Sequence, residues 1–126
     1  MSGPSGPATG STSTSCPFCD IVAGRRPARI IVDGTLVVAF RDIAPVAPTH
    51  VLLVPRAHVP DASALGPEHA DLLAEMAVVA RKVAEADGVA SSGYRLVFNV
   101  GPDSGNSVGH LHLHLVGGRP MAWPPG

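Results

Sequence analysis

The stretch His110-Leu111-His112-Leu113-His114-Leu115-Val116 decides what kind of fold this chain adopts. Polar and apolar residues alternate along it, and this alternation predicts a half-buried β-strand over residues 109–116. Because successive side chains of a strand point to opposite faces, the three histidines share one face at a spacing of about 6.6 Å, and the leucines face a core. Three imidazoles that titrate near neutral pH repel one another when protonated, so the row indicates a functional site.

Two kinds of chemistry fit a row of three imidazoles. Imidazole is the commonest metal ligand, and a neutral ring nitrogen is also a nucleophile that can attack phosphorus. The preceding loop, residues 99–109, is rich in glycine, serine and asparagine, and backbone N–H groups in such loops form concavities that suit phosphate oxygens. Asn99 and Ser107 add possible side-chain donors. The loop favours the nucleophile, although without the histidines it would indicate only a hairpin connection.

Composition limits the remaining classes of protein. A length of 126 residues with 45% hydrophobic and 15% charged residues is typical of one globular domain. A net charge of −1 predicts no nucleic-acid partner and no anionic membrane surface, and no apolar run approaches the ~20 residues of a membrane span. Residues 1–15 are almost entirely Gly, Pro, Ser and Thr, so we expect a disordered segment rather than a secretory signal, and a cytoplasmic location.

The positions of turn residues and of the apolar runs between them predict an α+β fold with a mainly antiparallel five-stranded sheet, one long helix and one short N-terminal helix. Asp33-Gly34 is a hairpin turn signal, and the long helix is expected to begin at Pro67 and to end before Gly88. His69, in its first turn, is expected to be a solvated surface residue. The predicted strands are residues 30–32, 36–40, 51–54, 94–100 and 109–116, and the predicted helices are residues 18–23 and 67–87.

The histidine row resembles the His-X-His-X-His-X-X signature, with X apolar, of the histidine triad (HIT) family of nucleotide hydrolases and transferases. Residues 40–45, 47–55 and 93–99 are similar to its nucleoside-binding segment and to two of its strands. The tail, residues 117–126, resembles the ending of the Hint branch, the purine nucleoside phosphoramidases. The resemblance covers roughly residues 16–126, and it implies a single HIT domain with the HIT-like fold.

The resemblance implies a hydrolase that cleaves the P–N bond of adenosine or other purine nucleoside 5′-monophosphoramidates, releasing AMP and an amine. His112 would be the nucleophile that forms a nucleotidyl-histidine intermediate, and His114 would stabilise charge on a non-bridging phosphate oxygen. His50 and Ser107 would protonate the leaving amine. His110 would orient His112 unless it binds a metal.

The resemblance also implies the substrate contacts and a homodimer. Asp42, which its sequence context alone marks as a turn residue, would accept hydrogen bonds from the ribose. In the family the long helix and a sheet edge pair two subunits, and the tail would carry Trp123 towards the neighbouring active site. The phosphate would be held by Asn99, Gly105, Asn106 and Ser107, and the purine would lie in an apolar slot of Phe18, Ile21, Phe40 and Ile43.

A second motif, Cys16-Pro17-Phe18-Cys19, leaves several interpretations open. Two cysteines without a secretory signal argue against a structural disulfide; they are incidental thiols, a redox pair or half of a tetrahedral zinc site. Bacterial HIT proteins and the related galactose-1-phosphate uridylyltransferases look similar here, which implies a structural zinc on Cys16, Cys19, His58 and His110, and no catalytic cofactor. Animal Hint proteins share the tail but lack the cysteine pair, so this chain departs from that branch.

Two alternatives to the phosphoramidase stay open from the residues alone. The first is a zinc metallohydrolase that uses the histidine row as an open metal site, although no carboxylate lies near the row in sequence. The second is a binding module that holds a nucleotide or a partner protein with little turnover. Another HIT branch, acting on dinucleotides or transferring nucleotidyl groups, is a variant of the enzymatic hypothesis.

Overall fold

The computed structural model describes residues 16–106 and 108–126, together with the backbone of two short strands, β1 (Gly3–Pro4) and β2 (Pro7–Ala8), which pair in parallel. The predicted disordered segment, residues 1–15, lies outside the described residues apart from these two strands, and it stays a prediction. Neither helix of the described part has the length and apolar character that crossing a membrane requires.

The main sheet has five strands: β3 (Ile30–Asp33), β4 (Val37–Arg41), β5 (Thr49–Pro55), β6 (Tyr94–Phe98) and β7 (Leu113–Gly117). They pair antiparallel in the order β3-β4-β5-β7-β6. The helices are α1 (Pro17–Val22) and α2 (Ala70–Ala86), and single 3₁₀ turns lie at Ala62–Ala64, Pro67–His69 and Pro102–Ser104. The predicted α+β class with five antiparallel strands and one long helix is confirmed.

The long helix begins later than its sequence predicts. Pro67–His69 forms a 3₁₀ turn, and the α-helical part starts at Ala70. The Gly66 N–H donates to Nδ1 of His69 at 3.0 Å, so this half-buried imidazole closes the turn. The expectation that His69 is a solvated surface residue is therefore wrong, because its ring satisfies a backbone donor that the helix start leaves unpaired.

One face of the sheet packs on α2 and forms the larger core. Leu111, Leu113 and Leu115 all lie in this core, as their alternation predicts, and Met76 of α2 is almost fully buried against them. Each such side chain contributes about 1.5–3 kcal/mol on burial. The other members of the cluster include Val37, Ala39, Val51, Leu53, Val79, Ala80, Val83 and Ala84.

The opposite face of the sheet packs on α1 and forms a smaller core. Phe18 and Ile21 of α1 bury their side chains there, and the rings of Phe18 and Phe40 meet edge-on at 5.6 Å. Val38, Leu52 and Val54 complete the cluster. Because the histidines occupy this same face, the small core places Phe18 directly beside them.

The last strand is shorter than predicted, because β7 begins at Leu113 and not at residue 109. The ladder pairs Leu113 with Leu53 of β5 and with Phe98 of β6, where β6 ends. Two residues further along β5, Pro55 has no N–H to donate, and its carbonyl accepts a hydrogen bond from the side chain of His110. His110 and His112 therefore precede the strand, but their side chains keep the alternation.

Candidate active site and metal centre

A pocket of about 250 Å³ opens on the histidine face of the sheet, beside the start of β7. It is lined by Phe18, Asp42, Leu52, Asn99, Gly105, Asn106, Val108, His112 and His114. Leu52 and Val108 are not among the site residues predicted from the sequence, although Leu52 follows His50 by two residues on a strand and so shares its face. A larger cavity of about 890 Å³ lies at the C-terminal end of α2, but the described residues that line it include no histidine or cysteine.

The protonation of His112 is set by a backbone carbonyl. Its Nδ1 lies 2.8 Å from the carbonyl oxygen of His110, and a carbonyl only accepts hydrogen bonds. Nδ1 therefore carries the proton, and the neutral ring keeps its lone pair on Nε2. His112 is buried, and the Phe18 ring lies edge-on against it at 5.1 Å. This arrangement presents an unprotonated, oriented imidazole nitrogen, which is the form that attacks an electrophile.

The protonation of His114 is set by a chain of two hydrogen bonds. The Val46 N–H donates to Nδ1 of His50 at 3.1 Å, so the proton of neutral His50 lies on Nε2. That Nε2 is 3.0 Å from Nδ1 of His114, which therefore accepts. Neutral His114 must then carry its own proton on Nε2, and this N–H is the donor that it offers to the pocket it lines.

His114 is held in its neutral form. Burial, followed by the neighbouring His112 and His50 rings, lowers the pKa of His114 to about 4, and the Asp42 carboxylate only partly opposes this. The imidazole therefore acts as a neutral hydrogen-bond donor at physiological pH. Its ring meets that of His112 with centroids 4.9 Å apart.

The lowered pKa of His114 predicts a loss of stability in acid. The unfolded chain binds a proton at this histidine near its usual pKa of 6.5, whereas the folded protein binds it only near 4. The free energy of unfolding should therefore be highest above about pH 6.5 and should fall as the pH drops towards 4, by up to about 3 kcal/mol. Denaturant unfolding at several pH values measures this slope, and His114→Gln should reduce it; an equal slope in both proteins would contradict the prediction.

The loop before β7 brings backbone groups and amides to the pocket. Gly101 and Gly105 adopt φ values of +78° and +82°, which glycine tolerates best, on either side of the turn at Pro102–Ser104. The Oδ1 of Asn106 accepts from the Val108 N–H at 3.1 Å and so holds the loop. Ser107 lies outside the described residues, so its predicted place at the phosphate stays a prediction.

Asp42 is both a turn residue and a pocket residue. Its Oδ1 accepts from the Ala44 N–H at 2.8 Å, which is the turn that its context predicts. Its Oδ2 lies 3.4 Å from Nε2 of His50, and the side chain lines the pocket. The carboxylate thus keeps acceptor capacity on the pocket side.

Most of the predicted apolar slot does not line the pocket. Of its four residues only Phe18 does, since Ile21 and Phe40 are buried beneath that ring. Ile43 is 99% exposed, because it follows Asp42 in the turn where the chain leaves β4. Trp123 is 83% exposed in the tail and is likewise absent from the pocket wall of the described protomer.

Four side chains converge to form a possible metal site, and they are the four that the family resemblance implies. The ligand atoms of Cys16, Cys19, His58 and His110 all lie within 4.8 Å of one another. The four distances between a cysteine Sγ and a histidine Nδ1 are 3.2, 3.2, 3.4 and 3.6 Å. A tetrahedral zinc with ordinary bond lengths holds sulfur and nitrogen ligands about 3.6 Å apart, so the geometry fits such an ion.

The hydrogen bonding of this cluster also suits a metal. Nε2 of His110 donates to the Pro55 carbonyl at 3.0 Å, which leaves the Nδ1 lone pair facing the sulfurs. Metal-bound histidines are commonly oriented by such a carbonyl. Burial, followed by the hydrogen bond with Cys16, raises the pKa of the Cys19 thiol to about 12, so a bound metal has to displace this proton.

A second cluster, Asp42, His50 and His114, has the donor types of a metal site but not the free lone pairs. Its candidate ligand atoms also lie within 4.8 Å of one another. However, Nδ1 of His50 already accepts from a backbone N–H, so its Nε2 carries a proton that points at His114. The cluster is therefore a hydrogen-bond chain, which argues against an open catalytic metal on the histidine row.

Comparisons with known proteins agree with this geometry. The model of the HIT domain family matches residues 23–121, a range that contains the histidine row and begins just after the cysteine pair. A protein of Escherichia coli (strain K12) described as a purine nucleoside phosphoramidase is 43% identical over 104 residues, which cover 82% of this chain and 87% of that protein.

Two solved structures illustrate the likeness in three dimensions. A HIT family hydrolase from Legionella pneumophila Philadelphia 1 is 46% identical, with a TM-score of 0.86 over 89% of this chain and 100% of that one. A Zn-bound histidine triad family protein from Mycobacterium smegmatis is 33% identical, with a TM-score of 0.72 over 83% of this chain and 76% of that one.

Proposed function

Because the chain belongs to the HIT domain family and is a hydrolase, we propose that it cleaves the P–N bond of purine nucleoside 5′-monophosphoramidates. The products would be AMP, or the corresponding purine nucleoside monophosphate, and an amine. The observation that carries this proposal is the free Nε2 of His112, fixed by the His110 carbonyl beside the donor that His114 offers. The description of the Escherichia coli relative supports the same substrate class.

The proposed reaction has two displacement steps at phosphorus. Nε2 of His112 attacks the phosphorus, the P–N bond to the amine breaks, and its electron pair leaves with the nitrogen, which takes up a proton. Water then attacks the nucleotidyl-imidazole and breaks the P–Nε2 bond, which frees the monophosphate and the neutral ring. The His110 carbonyl stabilises the ring while it carries positive charge, because it accepts from the Nδ1–H throughout.

His114 and His50 have separate roles in this proposal. The Nε2–H of His114 donates to a non-bridging phosphate oxygen, and this bond strengthens as charge builds up in the transition state. His50 is buried and contacts His114 instead of lining the pocket, so it acts as a relay through that ring. Ser107 is the proposed donor to the leaving amine, as the family resemblance implies.

The pocket residues around the histidines would hold the nucleotide. Asp42 would accept hydrogen bonds from the ribose hydroxyls through the acceptor capacity that the Ala44 N–H leaves free. Asn99 and the backbone of Gly105 would hold the phosphate, together with Asn106 and Ser107. Phe18, with Leu52 and Val108, supplies the apolar wall for the purine. Such a wall suits a flat base through surface burial.

A side-by-side panel of nucleoside phosphoramidates, phosphate anhydrides and phosphate esters tests the proposed function. We expect turnover of the phosphoramidates to exceed that of the other two classes, with AMP as the nucleotide product. Preferred cleavage of the anhydrides would favour a dinucleotide hydrolase of another HIT branch. Tight AMP binding without turnover of any compound would favour the binding module.

We also propose that Cys16, Cys19, His58 and His110 hold one structural zinc ion per subunit. All four positions are filled by protein side chains, which is typical of a structural site and not of a catalytic one. The Zn-bound relative from Mycobacterium smegmatis supports the metal. Thiolate ligands need reduced cysteines, which suits the proposed cytoplasmic location.

Cys16→Ser is expected to release the metal and to lower the melting temperature by several degrees. Metal binding contributes to folding because the unfolded chain holds no preformed site, and each 1 kcal/mol lost lowers the melting temperature of a domain of this size by about 3–6 °C. Elemental analysis and thermal unfolding of both proteins check this. A metal-free parent with the same melting temperature as the variant would rule the zinc out.

We propose a homodimer that pairs α2 and the free edge of β6 with a second copy. In the described sheet β6 is an edge strand, and Leu96 and Phe98 on it are exposed. Trp123, the only tryptophan, is exposed in the tail, where a partner could cover it.

Two experiments test the homodimer. Light scattering at micromolar concentration should give the dimer mass, and a tail truncated before Met121 should change substrate preference. A monomer in light scattering would contradict the homodimer. An unchanged substrate preference in the truncated protein would contradict the role of Trp123.

A further inference from the structure

Phe18 connects the candidate metal site to the catalytic pocket, because it lies next to the cysteine ligands and lines the pocket. This residue lies in the first turn of α1 between Cys19 and the N-cap residue Cys16, whose sulfur accepts from the Cys19 N–H at 3.2 Å. The Phe18 ring lies edge-on against His110 and His112, with centroids 6.0 and 5.1 Å apart. A displacement of the two thiols would therefore move the aromatic wall of the pocket that packs against His112.

His110 also connects the candidate metal site to the catalytic pocket. Its Nδ1 lies 3.2 Å from the sulfur of Cys16 and 3.4 Å from that of Cys19, while its backbone carbonyl accepts from Nδ1 of His112 at 2.8 Å. Because one residue faces the thiols with its ring and His112 with its carbonyl, a shift of the His110 backbone disturbs both contacts. The orientation of the His112 ring thus depends on a residue that the ligand cluster holds in place.

The cluster is an important restraint on α1. This helix has six residues, far fewer than the ~12–15 that an isolated helix needs to be even marginally stable. Phe18 and Ile21 anchor it by packing. Its polar link to the segments after β5 and before β7 runs through His58 and His110, and thiols alone make only weak hydrogen bonds to them.

We propose that Cys16 and Cys19 are positioning residues for the reaction as well as metal ligands. Ligation together with His58 and His110 fixes Phe18 and the His110 carbonyl, and so fixes the tautomer and the position of His112. Loss of ligation then lowers kcat in protein that is still folded. This inference rests on the proposed function, and it differs from a purely structural role, in which only the melting temperature would change.

The test compares the parent with Cys19→Ser at a temperature at which circular dichroism shows both to be folded. We expect the variant to lose its metal and to lose kcat by about 10–100-fold, the range seen when the groups that orient catalytic or metal-binding residues are removed. Nitrogen-15 NMR of the histidine rings should show one Nδ1–H tautomer for His112 in the parent and a mixture in the variant. Cys19→His, which supplies a nitrogen ligand in place of the sulfur, should regain metal, tautomer and most of kcat.

Val22→Ala is the matched control, because Val22 packs α1 against the small core without being a ligand. It should lower the melting temperature and leave kcat and the His112 tautomer unchanged. An unchanged kcat and tautomer in metal-free Cys19→Ser would overturn the proposal, as would an equal loss of kcat in Val22→Ala. Where Cys19→Ser does not fold, parent protein stripped of metal in the cold and then reloaded with zinc gives the same two readouts. If the parent cleaves no phosphoramidate, the proposed function fails, and the tautomer of His112 in the variant still decides the positioning claim.

Discussion

His112→Ala is expected to abolish turnover, with kcat falling by about 10⁶-fold, as it does when a covalent nucleophile is removed from a serine hydrolase. The protein should stay folded and still bind AMP, because Asp42, Asn99 and the loop backbone are untouched. Turnover is lost because Nε2 of His112 carries the lone pair that the fold leaves free and oriented in the pocket. Rapid-quench mass spectrometry of the parent should find an adenylyl group on this residue.

His69→Gln supplies the matched control for a lost imidazole. His69 closes the turn before α2 and does not line the pocket, so its loss should lower stability slightly and leave kcat unchanged. Turnover near that of the parent in His112→Ala, or an adenylyl label found only on another residue, would overturn the proposed mechanism.

The local pattern was enough to predict which face each residue of the histidine row takes. Leu111, Leu113 and Leu115 lie in the core as alternation requires. The start of the strand was not predictable in this way, because it depends on where its partner strands end. Pro55 of β5 has no N–H to extend the ladder, and nothing near residue 109 in the sequence indicates this.

The contacts between distant segments depended on the register of β5 against β7. Leu52 pairs with His114 in that register, which brings His50 and the turn at Asp42 beside the histidine row. Periodicity defines faces but not register, so the residues alone left His50 as a strand-edge histidine. The family resemblance supplied its place beside the row, and the distances now give it a definite partner.

The four candidate metal ligands show the same difference between what is local in sequence and what depends on the fold. Cys16 and Cys19 are three residues apart, so the pair is visible in the sequence. His58 and His110 meet it only because the segment after β5 and the segment before β7 run together, where the Leu111 N–H donates to the Val59 carbonyl. Ile43 illustrates the converse, since the resemblance implies a place in the purine slot and the turn after Asp42 leaves its side chain exposed.

His114→Ala is expected to lower kcat by about 10²–10³-fold, the loss seen when one donor to a developing negative charge is removed. The effect should be far smaller than that of His112→Ala, because the nucleophile keeps its lone pair while the phosphate oxygen loses only one hydrogen bond. His50→Phe is a graded comparison. It leaves the His114 ring in place but removes the Nε2–H that fixes Nδ1 as the acceptor, so kcat should fall less than in His114→Ala.

Steady-state kinetics with one phosphoramidate across these variants gives the order, and AMP binding shows that the pocket is intact. Because the pKa of His114 lies near 4, the ring is already neutral at neutral pH, and its contribution should not vary between pH 6 and pH 8. A loss in His114→Ala as large as that in His112→Ala would contradict the role of a single donor, because the two histidines would then act as one catalytic unit. A loss that disappears above pH 7 would mean that His114 works as a charged imidazolium, and the hydrogen-bond chain from Val46 through His50 would then not control it.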